Sequence, residues 1–387
     1  MEVRLPYLFY KNAADLLCGY DGGMPFHLYL KEKFKENKNW GSKDRKRYRA
    51  CCYHFWRNAV GVSRNTATEI LEYLQHHFPA PDHNITENHP ADIGSEPNPS
   101  SIQTLETQAN PQPYAKFDGY LSSHLTPQIL TPWFQNEPCV WIRPLNNKQP
   151  QVVKWLQQQQ IEIIYQHESA VAVSAQADLQ PITQKGIAYI QDIGSQMAMD
   201  WRDLPLQALC SGDHRLWDSC AGSGGKSITL LQNCERVIVQ CSDVRQNILE
   251  NLQKRFQSLR LSPPKTQVIN LTQEKSAQTY HIVMADVPCS GSGTWRRNPE
   301  NLHFFTLPEI ALYAQKQQQI LENLSSAVIS GGYLVYLTCS VFKAENEENI
   351  THFLGQHTNF TLVEQRFCGG IENHGDYIYR AILQKIG

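Results

Sequence analysis

The sequence has few charged residues and no large excess of either sign. Charged side chains make up 19% of the 387 residues, against a usual share of about 25%. Lys and Arg together number 35 and Asp and Glu number 37, which gives a formal net charge of -2. This balance excludes a protein that coats nucleic acid with a uniformly basic surface. Any contact with phosphate groups must come from a local concentration of basic residues.

Long apolar runs are also missing. No window approaches the roughly 18 consecutive apolar residues that predict a transmembrane helix. The opening residues, MEVRLPYLFYKNAADLL, lack the ordered basic head, apolar core and small-residue cleavage site of a secretory signal. We therefore expect a cytoplasmic protein that does not contact membranes, and we expect it to be a monomer.

The eleven cysteines include no CxxC pair. Without such pairs the spacing predicts no zinc site, and we expect no bound metal. An odd number of cysteines in a long chain without a secretory signal indicates reduced thiols rather than disulfides. Most of them should be small buried side chains, so their neighbours must show which ones are reactive.

The pattern along the chain predicts four regions. At about 150 residues per domain the length favours two or three domains, and an apolar share of 41% excludes global disorder. Residues 1–78 carry helical spacing. Residues 79–113 are rich in Pro, Asn and Ser and read as a linker or flexible loop, whereas residues 114–190 alternate strand-like and helix-like pieces typical of a small α+β module.

Residues 191–387 alternate strand and helix patterns regularly. The strand candidates are RLWDSC, RVIVQC, TQVIN, HIVMAD, GGYLVYLTC and TLVEQRF, and the helical stretches include 244–259, 308–329 and 344–354. Strands that alternate with helices predict a doubly wound, mainly parallel sheet. The expected fold class is therefore α/β.

Basic residues concentrate between Lys31 and Arg57. Ten basic residues lie there against three acidic ones. A solvated helix face explains such a run, but phosphate binding is the sharper hypothesis in a chain of net charge -2. We call four of these residues the basic cluster: Arg45, Lys46, Arg47 and Arg49.

A glycine-rich turn follows the first strand of the regular region. It reads DSCAGSGGKS and precedes a helix, so free backbone N–H groups can face a ligand. A phosphate loop requires G-x-x-x-x-G-K-[ST]. Gly225 and Lys226 fit that pattern, but its first glycine would fall at Cys220. The alternative is the turn of a Rossmann-like methyltransferase that wraps the amino-acid part of S-adenosylmethionine.

The next strand ends in Asp243, about 20 residues beyond the glycine turn. An acidic residue at this point can accept hydrogen bonds from both ribose hydroxyls of an adenosine. It can equally cap the helix that follows. The sequence alone leaves both roles open.

Two further strands end in cysteines. Asp286-Val287-Pro288-Cys289 closes one strand and Thr338-Cys339-Ser340 closes the next. Ligands of open α/β sheets bind outside the carboxyl ends of the strands, so both thiols are expected at the ligand edge. A thiolate that adds to carbon 6 of a pyrimidine makes carbon 5 a nucleophile, which divides one difficult step into two easier ones. A carboxyl group that donates to ring nitrogen 3 would stabilise the adduct.

Three motifs together resemble those of the Sun/Fmu-type RNA cytosine-5 methyltransferases. They are DSCAGSGGKS, ADVPCSGSGTWRRNPE and GGYLVYLTCSVFKAENEEN. GIAYIQDIGSQMAM is similar to a short motif that precedes the catalytic domain of that family, and SKDRKRYRACCYHFWR is similar to its N-terminal helical region. The resemblance runs from about residue 5 to the end, with the 79–113 segment unmatched.

The resemblance implies methyl transfer to cytosine in RNA, most plausibly ribosomal RNA of the small subunit, with transfer RNA as the alternative. It assigns the nucleophile to Cys339, release of the product to Cys289 and a supporting role to Asp286. It also implies that residues 1–78 bind RNA and that the 114–190 module docks on it. The implied contacts of S-adenosylmethionine are Cys220, Ala221, Gly222, Ser223, Gly224, Gly225, Lys226, Asp243, Asn270 and Asp286.

Two positions depart from the family pattern. Ser223 stands where the family loop usually has proline, and Asn270 stands where an acidic residue is usual. An amide oxygen can still bond the adenine amino group, so we expect cofactor binding to survive.

Arg296 and Arg297 follow the Pro-Cys loop and are expected to grip phosphate groups there. Trp295 either stacks on a base or belongs to the core. Glu345, Glu347 and Glu348 favour the N-terminus of the helix that follows them. Two other classes of protein stay open, a non-catalytic RNA-binding assembly protein and a P-loop nucleotide hydrolase.

Overall fold

The computed structural model describes residues 4–64, 66–78, 112–202, 204–234 and 236–386. The predicted linker therefore lies outside the described residues, except for 112 and 113. The chain forms two compact units, Met1–Lys116 with Asn298–Phe304, and Phe117–Arg297 with Phe305–Gly387. No helix within the described ranges is long and apolar enough to cross a membrane.

The helices are numbered in chain order. They are α1 (Arg4–Cys18), α2 (Phe26–Glu36), α3 (Ser42–Asn58), α4 (Ala67–His77), α5 (Pro127–Gln135), α6 (Gln149–Gln158), α7 (Gln180–Gln184), α8 (Ile193–Ala198), α9 (Gly225–Asn233), α10 (Gln246–Ser258), α11 (Glu300–Phe304), α12 (Leu307–Ser325) and α13 (Glu347–Gln356).

The strands are numbered in the same way. They are β1 (Cys139–Pro144), β2 (Tyr165–His167), β3 (Ala170–Ser174), β4 (Ala188–Ile190), β5 (Arg215–Asp218), β6 (Ile238–Asp243), β7 (Lys265–Val268), β8 (Tyr280–Asp286), β9 (Val328–Thr338), β10 (Phe360–Gly369) and β11 (Tyr377–Lys385).

The first unit is helical, as the apolar spacing of residues 1–78 predicts. Helix α3 places Cys51, Cys52, Phe55 and Trp56 in a core that α1, α2 and α4 share. The opposite face of α3 carries the basic residues. In this unit the Glu300 carboxyl group accepts a hydrogen bond from the Phe26 backbone N–H at 3.3 Å, where Pro25 offers the start of α2 no side-chain cap.

The second unit contains two sheets. The smaller has the order β2-β3-β1-β4 and is antiparallel throughout. The larger has the order β10-β11-β9-β8-β5-β6-β7. Its five strands from β9 to β7 are parallel, whereas β11 is antiparallel to both of its neighbours. The predicted α/β fold with a mainly parallel sheet is confirmed.

The large sheet is buried on both faces because its central strands carry apolar side chains on both sides. Leu216 and Met284 face one side, where they pack with residues of α9 and α10. Trp217 and Val283 face the other side, where they pack with residues of α12 and α13. This alternation follows from the two-residue period of a strand and gives three layers, helix on sheet on helix.

The structure differs from the sequence-based expectation in three places. The final strand β11 was not predicted, and it forms a hairpin with β10 that closes the sheet. Helix α12 ends at Ser325 rather than at 329, because β9 already begins at Val328. The structure joins Cys210 and Cys234 in a disulfide, so the prediction of reduced thiols is wrong for this pair. These two cysteines are distant in the sequence but share the core beside α9.

Candidate active site

The candidate site lies where the order of the large sheet reverses. After β5 the chain pairs β6 on one side of β5, and it later places β8 on the other side. The carboxyl ends of β5 and β8 are therefore neighbours at a topological switch point, where open α/β sheets bind ligands. Every strand that the sequence analysis assigned to the site ends at this edge.

The glycine-rich turn connects β5 to α9 and needs glycine at two of its positions. Gly222 and Gly224 have φ angles of 51° and 77°, in the left-handed region that favours glycine. A Cβ atom at Gly224 would lie 2.7 Å from Leu252 Cγ, whereas a Cβ atom at Gly222 would meet no atom within 4 Å. The turn is thus packed on its Gly224 side and open at Gly222.

Ser223 replaces the proline of the family pattern, and Arg255 of α10 holds it. The Arg255 guanidinium donates to Ser223 Oγ at 3.2 Å and to the Ile190 carbonyl at 3.0 Å. It also lies over the Tyr189 ring, 5.4 Å from the centroid. A side chain from a neighbouring helix therefore braces the turn at the position where the family pattern has a rigid residue.

Asp243 ends β6 beside the open part of the turn and is 6% exposed. Its carboxylate accepts from the Gly222 N–H at 3.1 Å and from the Arg245 N–H at 3.0 Å. Burial alone would raise the pKa of Asp243, but the bonds from the Arg245 side chain and from these two N–H groups outweigh it, so the pKa is lowered. The Asp243 carboxylate thus binds the backbone just after β6 and the backbone of the glycine turn.

Asp218 ends β5 and is 1% exposed. Ser227 Oγ donates to its Oδ2 at 2.5 Å, while Oδ1 has no hydrogen-bond partner among the described residues. Burial raises the pKa of Asp218 to about 7. A buried carboxyl oxygen without a partner is costly unless a ligand or water reaches it.

Lys226 and Asp286 join the glycine turn to β8. Lys226 Nζ lies 2.6 Å from Asp286 Oδ2. Burial lowers the pKa of Lys226, but the charge of Asp286 and the hydrogen bond to it outweigh this effect, so that pKa is raised. The ammonium group therefore holds its proton and donates a hydrogen bond to Asp286.

The two predicted cysteines meet. Cys289 Sγ lies 3.2 Å from Cys339 Sγ, and the Cys339 backbone N–H donates to Cys289 Sγ at 3.3 Å. The hydrogen bond to Cys339 and burial raise the pKa of Cys289 well above its usual range. The hydrogen bond with Cys339 and burial thus both favour the protonated thiol at Cys289.

Two basic side chains lie near Cys339. Lys226 and Arg297 both lie within electrostatic range of Cys339. Cations beside a cysteine stabilise its thiolate, which is the nucleophilic form. No cluster of residues suited to a metal ion occurs within the ranges that the structure describes.

Comparison with known proteins shows which family residues 207–381 are similar to. Residues 207–381 match the family described as 16S rRNA methyltransferase RsmB/F. The ribosomal RNA small subunit methyltransferase B of Yersinia enterocolitica is 27% identical to this chain over 278 residues, which cover 68% of this chain and 63% of that protein. Residues 207–381 are therefore similar to the RsmB/F methyltransferase family.

Solved structures share the fold of this chain. The crystal structure of PH0851 matches with a TM-score of 0.72 and 18% identity, over 98% of this chain and 99% of that one. A methyltransferase homolog protein from Pyrococcus horikoshii matches with a TM-score of 0.56 and 19% identity, over 70% of this chain and 93% of that one. The match to the curated relative spans less than two thirds of its length.

The structure corrects the prediction that Arg296 grips a phosphate group. Arg296 is 3% exposed and donates to the His374 carbonyl at 2.7 Å. Its guanidinium also lies 3.8 Å from Asp192 and 3.7 Å from Asp376. These partners are distant in the sequence, so the motif alone could not reveal that Arg296 is a buried structural residue.

Arg297 and Trp295, the neighbours of Arg296, differ in their exposure to solvent. Arg297 is paired with Asp376 at 2.5 Å, but its side chain stays 47% exposed, and it remains a candidate for contact with RNA. Trp295 is 1% exposed and packs against Phe117 and Phe305. It belongs to the core, which settles the choice that the sequence left open.

Asn270 is already engaged within its own turn. Its side-chain oxygen accepts from the Thr272 N–H at 3.2 Å and from Thr272 Oγ1 at 2.7 Å. The oxygen that was expected to meet an adenine amino group thus has two donors. The geometry does not favour the predicted cofactor contact of Asn270.

Glu345 has a role at the site that the sequence did not predict. This residue is completely buried and accepts from the Ser290 N–H at 2.9 Å and from Ser340 Oγ at 2.6 Å. Ser290 follows Cys289 and Ser340 follows Cys339, so one carboxyl group ties both cysteine loops together. The only signal in the sequence was the acidic run after the Thr-Cys motif, which a helix N-terminus explains equally well.

The basic cluster lies on α3, in the first unit. Lys46, Arg47 and Arg49 are exposed and Arg45 is half-buried, with its Nε bonded to the Trp40 carbonyl at 2.9 Å. None of the four pairs with a carboxylate among the residues that the structure describes. Arg57, which belongs to the same basic run, is buried and lies over the Tyr53 ring. The cluster is thus a surface that phosphate groups can reach.

Proposed function

We propose that this protein transfers a methyl group from S-adenosylmethionine to carbon 5 of a cytosine in RNA, and that its substrate is ribosomal RNA of the small subunit. The observation that carries the proposal is the pair of sulfurs, 3.2 Å apart, at the ends of β8 and β9. The similarity of residues 207–381 to the RsmB/F family supports methyl transfer. The name of the Yersinia relative supports a ribosomal substrate.

The residues at the switch point fit S-adenosylmethionine. The open space at Gly222 offers room beside a turn that would wrap its amino-acid part. The unpartnered Oδ1 of Asp218 could accept a hydrogen bond from a cationic ligand, and Asp243 is an ionised acceptor for ribose hydroxyls. We assign the cofactor to the turn from Cys220 to Lys226 together with Asp243 and Asp286, and we leave Asn270 out.

Cys339 acts as the nucleophile in this proposal. Its thiolate adds to carbon 6 of the cytosine, which forms a carbon–sulfur bond and moves an electron pair toward ring nitrogen 3. A protonated partner must meet that nitrogen. The Lys226–Asp286 pair holds a proton on Lys226, so this pair rather than an acidic Asp286 supplies the stabilising hydrogen bond.

Bound S-adenosylmethionine supplies an electrophilic methyl group for carbon 5. A base must then remove the proton from carbon 5, so that the bond between carbon 6 and Cys339 breaks and the thiolate leaves. The hydrogen bond to Cys339 is the main cause that keeps the proton on Cys289. Once Cys339 is bonded to carbon this cause is gone, so the pKa of Cys289 falls. Its thiol then loses its proton to solvent, and the resulting thiolate accepts the proton from carbon 5.

Methyl transfer from labelled S-adenosylmethionine to small-subunit ribosomal RNA tests the proposal. The parent protein should produce 5-methylcytosine, identified by mass spectrometry of the nucleosides. Cys339→Ala should produce none and still bind S-adenosylmethionine in calorimetric titration. An RNA-binding protein without catalytic activity would transfer no label, and methylation of transfer RNA alone would replace the proposed substrate. Appreciable turnover by Cys339→Ala would overturn the assignment of the nucleophile.

A further inference from the structure

An aromatic stack lies at the edge of a cavity outside the cofactor and cysteine residues. The rings of Tyr165 and His374 are nearly parallel, at 7°, and their centroids are 3.6 Å apart. Tyr165 stays 37% exposed although His374 covers one of its faces. The adjoining cavity of about 240 Å³ is also lined by Trp133, Glu137 and Arg296.

The backbone of His374 has an uncommon conformation, and three hydrogen bonds hold its carbonyl group. Its φ angle is 52°, which is an uncommon conformation for a residue other than glycine and is often found at functional sites. Its carbonyl accepts from Arg296 at 2.7 Å, from Trp141 Nε1 at 3.1 Å and from Cys139 Sγ at 3.5 Å. Three donors therefore hold one carbonyl in place, and the ring stacks on Tyr165.

The stack is connected to the reacting cysteine. Tyr377 lies three residues after His374, and its carbonyl touches the Pro-Cys loop so closely that Gly293 has no room for a side chain. The Gly293 N–H in turn donates to the Cys339 carbonyl at 2.9 Å. The segment that carries His374 thus packs directly against the loops that hold the two sulfurs.

We infer that the cavity beside the Tyr165–His374 stack binds an unpaired RNA base that neighbours the target cytosine, an inference that rests on the proposed function. RNA is commonly recognised by bases that are splayed out and stacked on aromatic side chains. The cavity is smaller than the roughly 300–1,000 Å³ of pockets that enclose whole small molecules. It therefore suits one flat base better than a complete ligand.

The test compares Tyr165→Ala with Tyr165→Phe, which keeps the ring. The RNA is a minimal stem-loop around the target, made intact and with single abasic sites at each unpaired position, and affinity is measured without cofactor. Tyr165→Ala should bind intact RNA about 5- to 150-fold more weakly, as expected for the loss of one stacked base. Tyr165→Phe should match the parent, and S-adenosylmethionine affinity should stay unchanged in both.

The abasic RNAs identify the occupant. At one abasic position the loss from Tyr165→Ala should disappear, because the base that it contacts is already missing. His374→Asn, which tolerates the same backbone conformation without a full aromatic stack, should behave like Tyr165→Ala. The inference would be overturned if the affinity losses from Tyr165→Ala and from the abasic site were additive at every position. A parent-like affinity of Tyr165→Ala for the intact RNA would also overturn it.

The proposed function and the inference fail separately. A parent protein that binds the stem-loop and shows the coupled loss, but transfers no methyl group, would contradict the proposed function and leave the subsite standing. A parent that methylates the RNA while the losses remain additive would contradict only the subsite. A parent that does not bind the RNA at all would overturn both.

Discussion

Replacement of Glu345 should loosen the two cysteine loops together. Its carboxyl group accepts from the Ser290 N–H, from Ser340 Oγ and from Gln317 Nε2, the last at 2.8 Å. Ser340 can turn its hydroxyl toward another acceptor, whereas the Ser290 and Gln317 donors cannot easily do so. A buried donor left without a partner costs about 1–3 kcal/mol. Glu345→Ala should therefore lower the free energy of unfolding by roughly 2–6 kcal/mol.

The assay is urea unfolding of the parent and three variants, with methyl transfer measured in parallel. Glu345→Gln keeps one acceptor oxygen and should lose less stability than Glu345→Ala. Glu348→Ala changes an exposed residue of the same acidic run and should stay within about 0.5 kcal/mol of the parent. Methyl transfer should fall in the order parent, Glu345→Gln, Glu345→Ala.

The result that would refute this reasoning is a Glu345→Ala protein that unfolds at the same urea concentration as Glu348→Ala. Glu345 would then only favour the start of α13, as the sequence first suggested. A loss of stability with full activity of the folded fraction would refute the second half of the argument, because the loops would hold the sulfurs without this carboxyl group.

Three further predictions concern release, the cofactor edge and RNA docking. Cys289→Ala should accumulate a protein–RNA adduct on denaturing gels, and an adduct of the Cys289→Ala/Cys339→Ala protein would contradict the two roles. The lowered pKa of Asp243 means that its stabilising effect is present above its unfolded pKa of about 3.9 and is lost as the pH falls through the folded value. Asp243→Asn should therefore lose stability to urea at pH 7 but little at pH 2, and equal losses at both would contradict the ionised role. Replacement of the basic cluster by Gln should weaken RNA binding. It should also reduce the slope of log affinity against log salt concentration by about 0.7–0.9 per lost phosphate contact, while the affinity for S-adenosylmethionine stays unchanged as the control. An unaltered slope would mean that the cluster is only a solvated helix face.

Local patterns predicted the frame of this protein well. The two-residue and 3.6-residue periods identified five parallel strands and the helices between them, and strand ends located the glycine turn and the two cysteines. Strand β11, the hairpin partner of β10, was not predicted from the sequence. Its residues YIYRAILQK are buried along nearly the whole strand, so they show no alternation of apolar and polar residues. A continuous apolar stretch cannot be assigned from periodicity alone.

Long-range pairings could not be predicted. Arg296 is buried because Asp192 and the His374 carbonyl, both far away in the sequence, happen to meet it. The Cys210–Cys234 disulfide and the tie that Glu345 makes between two loops depend in the same way on tertiary packing. A motif gives the types of residue at a site, but the contacts of each side chain follow from the assembled fold.

The covalent bond between RNA and Cys339 tests the central claim most directly. RNA that carries 5-fluorocytosine at the target should trap it, because the fluorine on carbon 5 cannot be removed as a proton and the carbon–sulfur bond cannot break. After digestion, mass spectrometry should find the methylated nucleotide on the peptide that contains Cys339, only when S-adenosylmethionine is present. A nucleotide on the Cys289 peptide, or no adduct in a protein that methylates normal RNA, would contradict the account.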